Sequence, residues 1–410
     1  MKLNVLTISI ACPPKKDSES LQVAKYLKYL SMSNRVDVDV VTSKNPTLYM
    51  PYDSSLEHYL DGVRQLVQMP IKEWRYTNIL LRRFCPSLLV RPDSKFSFVN
   101  SYARVSVLLR QCPDVIYSRS YPLSSTVMAY RLQQQLKRPW VLHLSDPWTI
   151  NPLNSLAPCE SWNESMERRC FAAAKILSFT SNKTLKRYSE RYPEFAYKMK
   201  VFPNVFDPDD LRSTVWRKEK KLKCVYTGGL VGTRTPKILV DALMLLKECK
   251  REVFDSLEVV LAGETDRGVR NILNDQEVGI KHIGVLNFDE AISLQASADL
   301  LLLIDTPTNS SDEAMFFPSK LLDYMLAGRR VVAITDSHSS TAQVVKDSSL
   351  GDVIEHDDHR ALMETFVCAF ENWRGKQSDY FFHQSLDQTY SAMNQADRLV
   401  DLFHDVCEER

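Results

Sequence analysis

Twice along this 410-residue chain, short apolar runs of strand length alternate with longer stretches of helical period. That pattern specifies parallel strands covered by helices, because each parallel connection needs a crossover long enough to hold a helix. In the first half the strand candidates are residues 4–10, 36–41, 114–117, 139–144, 175–180 and 199–202, separated mostly by helical stretches at 18–32, 122–136, 160–174 and 182–192. Residues 43–110 break the alternation and read as an insertion with helices of its own. A polar, basic stretch at 207–221 follows, and the pattern then restarts. Its strands are expected near 222–227, 256–262, 279–283, 299–304, 330–334 and 351–354, and its helices near 236–250, 287–297, 318–327 and 358–371. The expected fold class is α/β, with two doubly wound Rossmann-like domains facing across a cleft, residues 1–205 and 206–377. Residues 378–410, with apolar Phe381, Met393, Leu399, Leu402 and Phe403, form a helical segment expected to pack back across the junction. Open sheets of this kind take ligands beyond the carboxyl ends of their strands.

Glycine placement narrows where a phosphate can be held. The chain has 11 glycines; apart from Gly62 the first 227 residues contain none, and Gly228, Gly229 and Gly232 then fall within five positions. An N-terminal glycine-rich dinucleotide loop is therefore excluded, and close backbone contact with a phosphate belongs to the second half. With 52 Lys and Arg against 51 Asp and Glu, the net charge of +1 gives no global attraction to nucleic acid. Nine scattered cysteines without a C-x-x-C pair fit reduced thiols in a cytosolic protein, with no disulfide frame and no zinc site. The apolar opening at residues 3–12 is short and polar-interrupted, so it reads as a first strand and not a signal peptide. No run is long enough to span a membrane. The expected location is the cytoplasm, at most peripheral on the inner face of a membrane.

Three segments carry candidate chemistry. Tyr226-Thr227-Gly228-Gly229-Leu230-Val231-Gly232-Thr233-Arg234-Thr235-Pro236 follows a strand and opens a helix. Its glycines let the backbone approach a phosphate, the helix start offers free N–H groups, and Arg234 adds a forked cation. No Gly-Lys-Ser/Thr follows, so it is not a Walker loop. The bare alternative is a tight turn without a ligand. Phe317-Pro318-Ser319-Lys320-Leu321-Leu322-Asp323-Tyr324 starts a second helix, which Gly328 ends, with Ser319 expected as its cap. Lys320 can contact a phosphate and Asp323 a ribose, or Asp323 can serve only the helix dipole while Lys320 is solvated. Leu142-His143-Leu144-Ser145-Asp146-Pro147-Trp148 lies at a strand end in the first domain. Asp146 is the candidate acid, base or hydroxyl orienter there; alternation allows His143 to be buried as a structural residue.

These segments, together with Val201-Phe202-Pro203-Asn204-Val205-Phe206-Asp207, resemble the retaining glycosyltransferases of the GT-B fold, family-4 type, particularly the envelope polysaccharide enzymes. The resemblance implies transfer of a hexosyl group from a nucleotide diphosphate sugar to a glycan or lipid-linked acceptor, with retention. No metal is required and no cofactor is implied beyond that donor substrate. Donor contacts would fall on Gly228, Gly229, Gly232, Arg234, Ser319, Lys320 and Leu321, with Asp323 on the ribose and the backbone from His282 to Val285 at the base. Asp146, Arg234 and Lys320 would carry catalysis. The loop at 13–20 would lie near the acceptor and donor phosphates. The sequence departs from the family pattern at Met315, where a glutamate is usual, and at Gly229, Ser145 and Val205. Two rival readings remain: a nucleotide-sugar epimerase of the same fold, which needs no acceptor, and an inactive donor-binding partner subunit, which the eroded motifs suggest.

Residues 61–110 hold nine Lys or Arg (64, 72, 75, 82, 83, 91, 95, 104, 110) against three Asp or Glu (61, 73, 93). Trp74, Tyr76, Ile79, Leu80, Leu81, Phe84, Leu88 and Leu89 interleave with them, a composition suited to an anionic membrane surface and equally to a solvated basic face over a core. No nucleic-acid-binding module accompanies it, so nucleic acid is not an expected partner.

Overall fold

The computed structural model describes residues 2–44, 50–73, 75–85, 88, 91–151, 160–210, 219–274, 278–308, 318–375 and 384–408. Trp74, Leu89, Met315, Phe317 and Phe381 lie outside the described residues. The chain divides into two compact units, Met1–Val205 with Gln388–Arg410, and Phe206–Asp387.

The first unit is built on a seven-stranded parallel sheet. Its strands are β1 (Leu3–Ile8), β2 (Val36–Ser43), β3 (Gln65–Met69), β4 (Val115–Ser120), β5 (Trp140–Leu144), β6 (Ile176–Phe179) and β7 (Met199–Val201), in the order β3-β2-β1-β4-β5-β6-β7. Connecting helices are α1 (Ser18–Met32), α2 (Arg75–Phe84), α3 (Tyr102–Leu108), α4 (Ser124–Leu136), α5 (Glu160–Ala173) and α6 (Asn182–Arg191). Central strands are buried on both faces: every residue of β4 and β5, and all of β1 but Asn4, is buried. On one face Leu6, Ile8, Ile116 and Leu142 pack with Met128 of α4 and Phe171 of α5; on the other Val5, Tyr117 and Val141 pack with Tyr26 and Leu30 of α1.

The stretch at 43–110 is not wholly an insertion. It supplies β3, an edge strand paired with β2 from Asp39↔Gln65 to Ser43↔Met69. Its sequence, Gln-Leu-Val-Gln-Met, is too polar to announce a strand, and Arg64 fixes it by a two-pronged bond to the buried Asp39, 2.9 Å from Nε and 2.6 Å from Nη2.

The second unit repeats the plan with β8 (Leu222–Thr227), β9 (Leu257–Ala262), β10 (Lys281–His282), β11 (Leu300–Ile304), β12 (Arg330–Ile334) and β13 (Gly351–Ile354), ordered β10-β9-β8-β11-β12-β13 and all parallel. Its helices are α7 (Lys237–Cys249), α8 (Arg251–Ser256), α9 (Arg267–Asn274), α10 (Phe288–Ala296), α11 (Lys320–Ala327), α12 (Ser340–Asp347), α13 (His359–Arg374) and α14 (Gln384–Tyr390). In both sheets the strand order reverses beside the first strand of the unit, between β1 and β4 and between β8 and β11. Connections leave in opposite directions there and open a crevice at the strand ends. The last helix, α15 (Ala392–Glu408), returns to the first unit, where Leu399, Val400 and Phe403 join the core beneath α1. Among the described residues no helix is long and apolar enough to cross a membrane.

The loop after β5 is clamped by one buried carboxyl group. Glu167 accepts hydrogen bonds from the Thr149 N–H at 3.1 Å, the Tyr188 hydroxyl at 2.7 Å and the Tyr192 hydroxyl at 2.9 Å, as well as the Thr149 hydroxyl. Trp148 is held in turn by Tyr188 and Asn163. Glu167→Ala removes the acceptor for all four donors and is expected to lower the unfolding free energy by about 3 kcal/mol in urea titrations.

Candidate functional site

At the end of β8 the chain makes two close approaches that only glycine permits. Gly228 has φ +135° and Gly263, at the end of β9, has φ +144°. A Cβ on Gly263 would stand 2.0 Å from the Gly228 carbonyl oxygen, and one on Gly228 would stand 2.4 Å from Lys320 Nζ. Gly228 N–H bonds back to the Ala262 carbonyl at 2.8 Å, and Gly263 N–H to that of Gly284 at 2.7 Å. Gly232, at φ +64°, donates its N–H to Asp266 at 2.7 Å. Gly229 has no such constraint, since a Cβ there would meet only the Glu264 carbonyl at 4.0 Å.

Into this glycine wall α11 delivers Lys320. Its ammonium donates to the Tyr226 hydroxyl at 2.9 Å, lies 4.5 Å from the centre of that ring, and leaves the hydroxyl to donate to the Gly229 carbonyl at 3.0 Å. Tyr324, one turn on, accepts the Thr227 N–H and donates to the Leu302 carbonyl, both at 3.0 Å. It thereby bridges β8 and β11 where their ladder, Leu300↔Cys224 and Leu301↔Val225, has ended. The splay of the two strands is thus closed at its base by one hydroxyl, and the crevice opens above it.

Arg234 comes from the loop between β8 and α7. It donates from Nη2 to the Thr306 hydroxyl at 3.1 Å and lies 3.8 Å from Asp305, while its buried Nε has no partner among the described residues. Asp305 is itself fixed by the Thr341 hydroxyl at 2.8 Å and the Thr306 N–H at 3.0 Å. Burial, then repulsion from Arg234, pulls the Lys320 ammonium down to about 7, against opposing attraction from Asp305 and Asp323. The crevice therefore sets an ammonium that burial makes costly beside a guanidinium, a setting that favours an anion.

The remaining residues singled out in the sequence fall as follows. Ser319 does not cap α11 with its side chain, because it already has helical φ and ψ; the helix begins instead with the Leu321 and Leu322 N–H groups bonded to the Pro318 and Ser319 carbonyls. Leu321 is fully buried and packs, while Asp323 is half-buried in the first turn. His282 is exposed and donates from Nε2 to the Gly263 carbonyl at 3.0 Å, with Ile283 and Val285 exposed beside it. A cavity of about 300 Å³ lies on the α7 side of the same strand ends, lined among others by Thr233, Thr235, Asp305, His356 and His359.

In the first unit Asp146 lies beyond β5, and burial followed by repulsion from Glu19 pushes its carboxyl up to about 6. Beneath it the fully buried Arg119 donates to Glu19 at 3.0 Å and to the Ser145 hydroxyl at 3.3 Å, with its guanidinium 4.8 Å from the Tyr26 ring centre. His143 is fully buried, bonded through Nδ1 to the Ser178 hydroxyl at 3.0 Å and held well below its ordinary value by burial and then Arg119, so it stays neutral. In the loop at 13–20, Lys15 is buried and donates to Thr42 at 3.0 Å, and Lys16 pairs with Asp53 at 3.4 Å. Sequence reasoning missed Arg119, Asp305 and Gly263, and gave no role to Tyr226 and Glu19 within the segments it singled out.

Comparison with solved structures agrees with this architecture along the whole chain. A crystal structure of Anabaena HepE in complex with UDP and glucose matches at 15% identity and a TM-score of 0.65, covering 98% of this chain and 100% of that one. Sucrose-phosphate synthase from Thermosynechococcus elongatus matches at 14% identity and a TM-score of 0.67, with both chains covered in full, 100% of each. The chain carries the two Rossmann-like domains of the GT-B fold. A putative UDP-N-acetylglucosamine 2-epimerase from Listeria monocytogenes has this architecture too, at 12% identity and a TM-score of 0.61, with 100% of this chain and 98% of that one covered. No protein-family model matches the sequence, and no curated protein is similar to it.

The GT-B crevice at β8 and β11 makes a prediction about stability. An ammonium whose folded pKa lies below its ordinary value of 10.5 costs most below about pH 7, where it is charged in both states. The cost is relieved as pH rises from about 7 to 10.5, where the folded state alone becomes neutral. Lys320→Met is therefore expected to stabilise the protein by about 1–4 kcal/mol at pH 6. The gain should shrink toward pH 10 in thermal melts.

Proposed function

We propose that the protein is a glycosyltransferase that moves a hexosyl group from a nucleoside diphosphate sugar to a hydroxyl on a glycan or lipid-linked acceptor. The observation that carries this reading is the glycine-walled crevice in which Lys320 and Arg234 converge. A departing diphosphate develops negative charge, and fixed cations at a strand-end crevice offset it without reorganising during the reaction. Lys320, its ammonium brought down to about 7, takes up a proton as the anion arrives, because an added negative charge favours the ammonium. Gly228, Gly229 and Gly232 give the phosphates access to backbone, with Ser319 and Leu321 flanking Lys320 at the start of α11. Asp323 is assigned to the ribose, and His282 to Val285 to the edge of the base.

Asp146 is assigned to the acceptor hydroxyl. Its carboxyl, held near 6, is poised both to accept and to donate a hydrogen bond near neutral pH. Retention at the anomeric carbon, a reaction without a divalent metal, and a place in cell-surface polysaccharide synthesis in the cytoplasm complete the reading. The likeness to HepE, solved with UDP and glucose, supports a uridine nucleotide as the first donor to try.

The epimerase reading is favoured by the Listeria structure, and it differs in needing no acceptor. Calorimetry with UDP near pH 8 in two buffers of different ionisation enthalpy is expected to show proton uptake that Lys320→Met abolishes. With a UDP-sugar and an acceptor, UDP release should require the acceptor, and Arg234→Ala should cut the rate by about 10²–10³. Undiminished transfer by Arg234→Ala would contradict the assignment. Sugar isomerisation without acceptor would favour the epimerase, and donor binding without turnover the inactive subunit.

A further inference from the structure

Helix α2 presents its apolar residues to solvent. Tyr76, Ile79, Leu80 and Phe84 recur at helical spacing along one face and are 74%, 57%, 61% and 70% exposed, with exposed Arg83 between them. Leu81 and Asn78, on the other side, are half-buried. The helix takes no part in the extensive packing between elements of the first unit, although the chain just before it is fixed by two hydrogen bonds between Lys72 and Ser97. A surface helix on an ordinary core turns its apolar stripe inward; this one is reversed, and Leu88, four residues past its end, is 65% exposed as well.

The charges say what covers it. Residues 75–84 contain Arg75, Arg82 and Arg83 and no acidic residue. Of the nearby acidic groups, Asp93 is turned inward, accepting from the Ser124 N–H and hydroxyl at 2.8 and 2.7 Å. The structure also removes two cations from the sequence tally, because Arg64 is engaged with Asp39 and Lys95 is buried, while Lys72, Arg83, Arg104 and Arg110 remain exposed. The centre of the face is aliphatic, Ile79 and Leu80, which gain nothing from stacking on bases; its ends are aromatic, and its flanks are cationic. That is the composition of a helix lying flat in the headgroup region of an anionic bilayer. Its 10 residues, in a chain with no spanning helix among the described residues, suit lying on a membrane and not crossing it.

We propose that α2 docks this protein onto an anionic lipid bilayer, its Tyr76–Ile79–Leu80–Phe84 face entering the interface and the exposed Arg83 meeting lipid phosphates. Such attachment holds the enzyme where a lipid-linked acceptor would be met, but the surface stands independently of that reading.

The test is co-sedimentation of the full chain with phosphatidylcholine vesicles, with and without phosphatidylglycerol, over a salt series. Binding is expected only to the mixed vesicles and to weaken as salt rises. The double variant Leu80→Asp/Phe84→Asp, altered at exposed positions and checked for an unchanged melting temperature, is expected to bind at least about tenfold more weakly. Absence of binding to mixed vesicles at low salt, equal binding to neutral vesicles, undiminished binding by the double variant, or lipid-free self-association that the variant abolishes would each overturn the proposal. The readout uses neither donor nor acceptor, so its failure leaves the glycosyl-transfer reading standing.

Discussion

The structure of the candidate site depends on the burial of one cation, Lys320, next to a second, Arg234. Burial is the larger cost to the ammonium, repulsion from Arg234 adds to it, and attraction from Asp305 and Asp323 only partly opposes the two. Two charges in that setting are tolerated because the surroundings are fixed by other bonds. Tyr226 accepts from the ammonium, Thr341 and Thr306 hold Asp305 beside the guanidinium, and Tyr324 closes the gap between β8 and β11 underneath. Gly228 and Gly263 then matter less as flexible residues than as absent side chains. Each leaves the space that a lysine ammonium or a neighbouring carbonyl fills. A fold that buries an ammonium beside a guanidinium at a strand end bears a stability cost that an anionic ligand removes on binding.

The first unit solves a different problem at the matching end of its sheet. Arg119 is fully buried yet paired with Glu19, so its charge is neutralised within the protein and not offered to a ligand. What the strand end presents instead is Asp146, its carboxyl raised by burial and by Glu19. One sheet thus exposes net positive character and the other a carboxyl group near its titration point. This difference in chemistry underlies the assignment of a diphosphate to the second unit and a hydroxyl to the first.

The alternation of apolar runs and helical stretches made both sheets legible, because parallel strands buried on two faces leave unbroken Val, Ile and Leu runs such as Leu300–Ile304. The exception is β3, an edge strand whose Leu66 and Gln68 face outward and whose anchor, Arg64, sits outside the strand. The glycine cluster and Lys320 were legible as a strand-to-helix turn and a helix start, since both depend on local backbone needs. Their partners were not. Tyr226 looks like one more strand aromatic, Asp305 like a loop residue, and Gly263 like an ordinary strand end, until the tertiary fold brings them within reach of Lys320, Arg234 and Gly228. Ser319 misled for the same reason: its residue type favours capping, but the backbone at that position is already helical. The basic count in 61–110 likewise included Arg64 and Lys95, which the fold uses internally.

A crystal structure of the protein with UDP tests the central claim most directly. The account predicts the diphosphate beyond the end of β8, with phosphate oxygens within hydrogen-bonding distance of Lys320 Nζ and the Arg234 guanidinium and against the backbone at Gly228. A nucleotide seated instead in the cavity beside His356 and His359, with Lys320 still bonded to Tyr226, would contradict it.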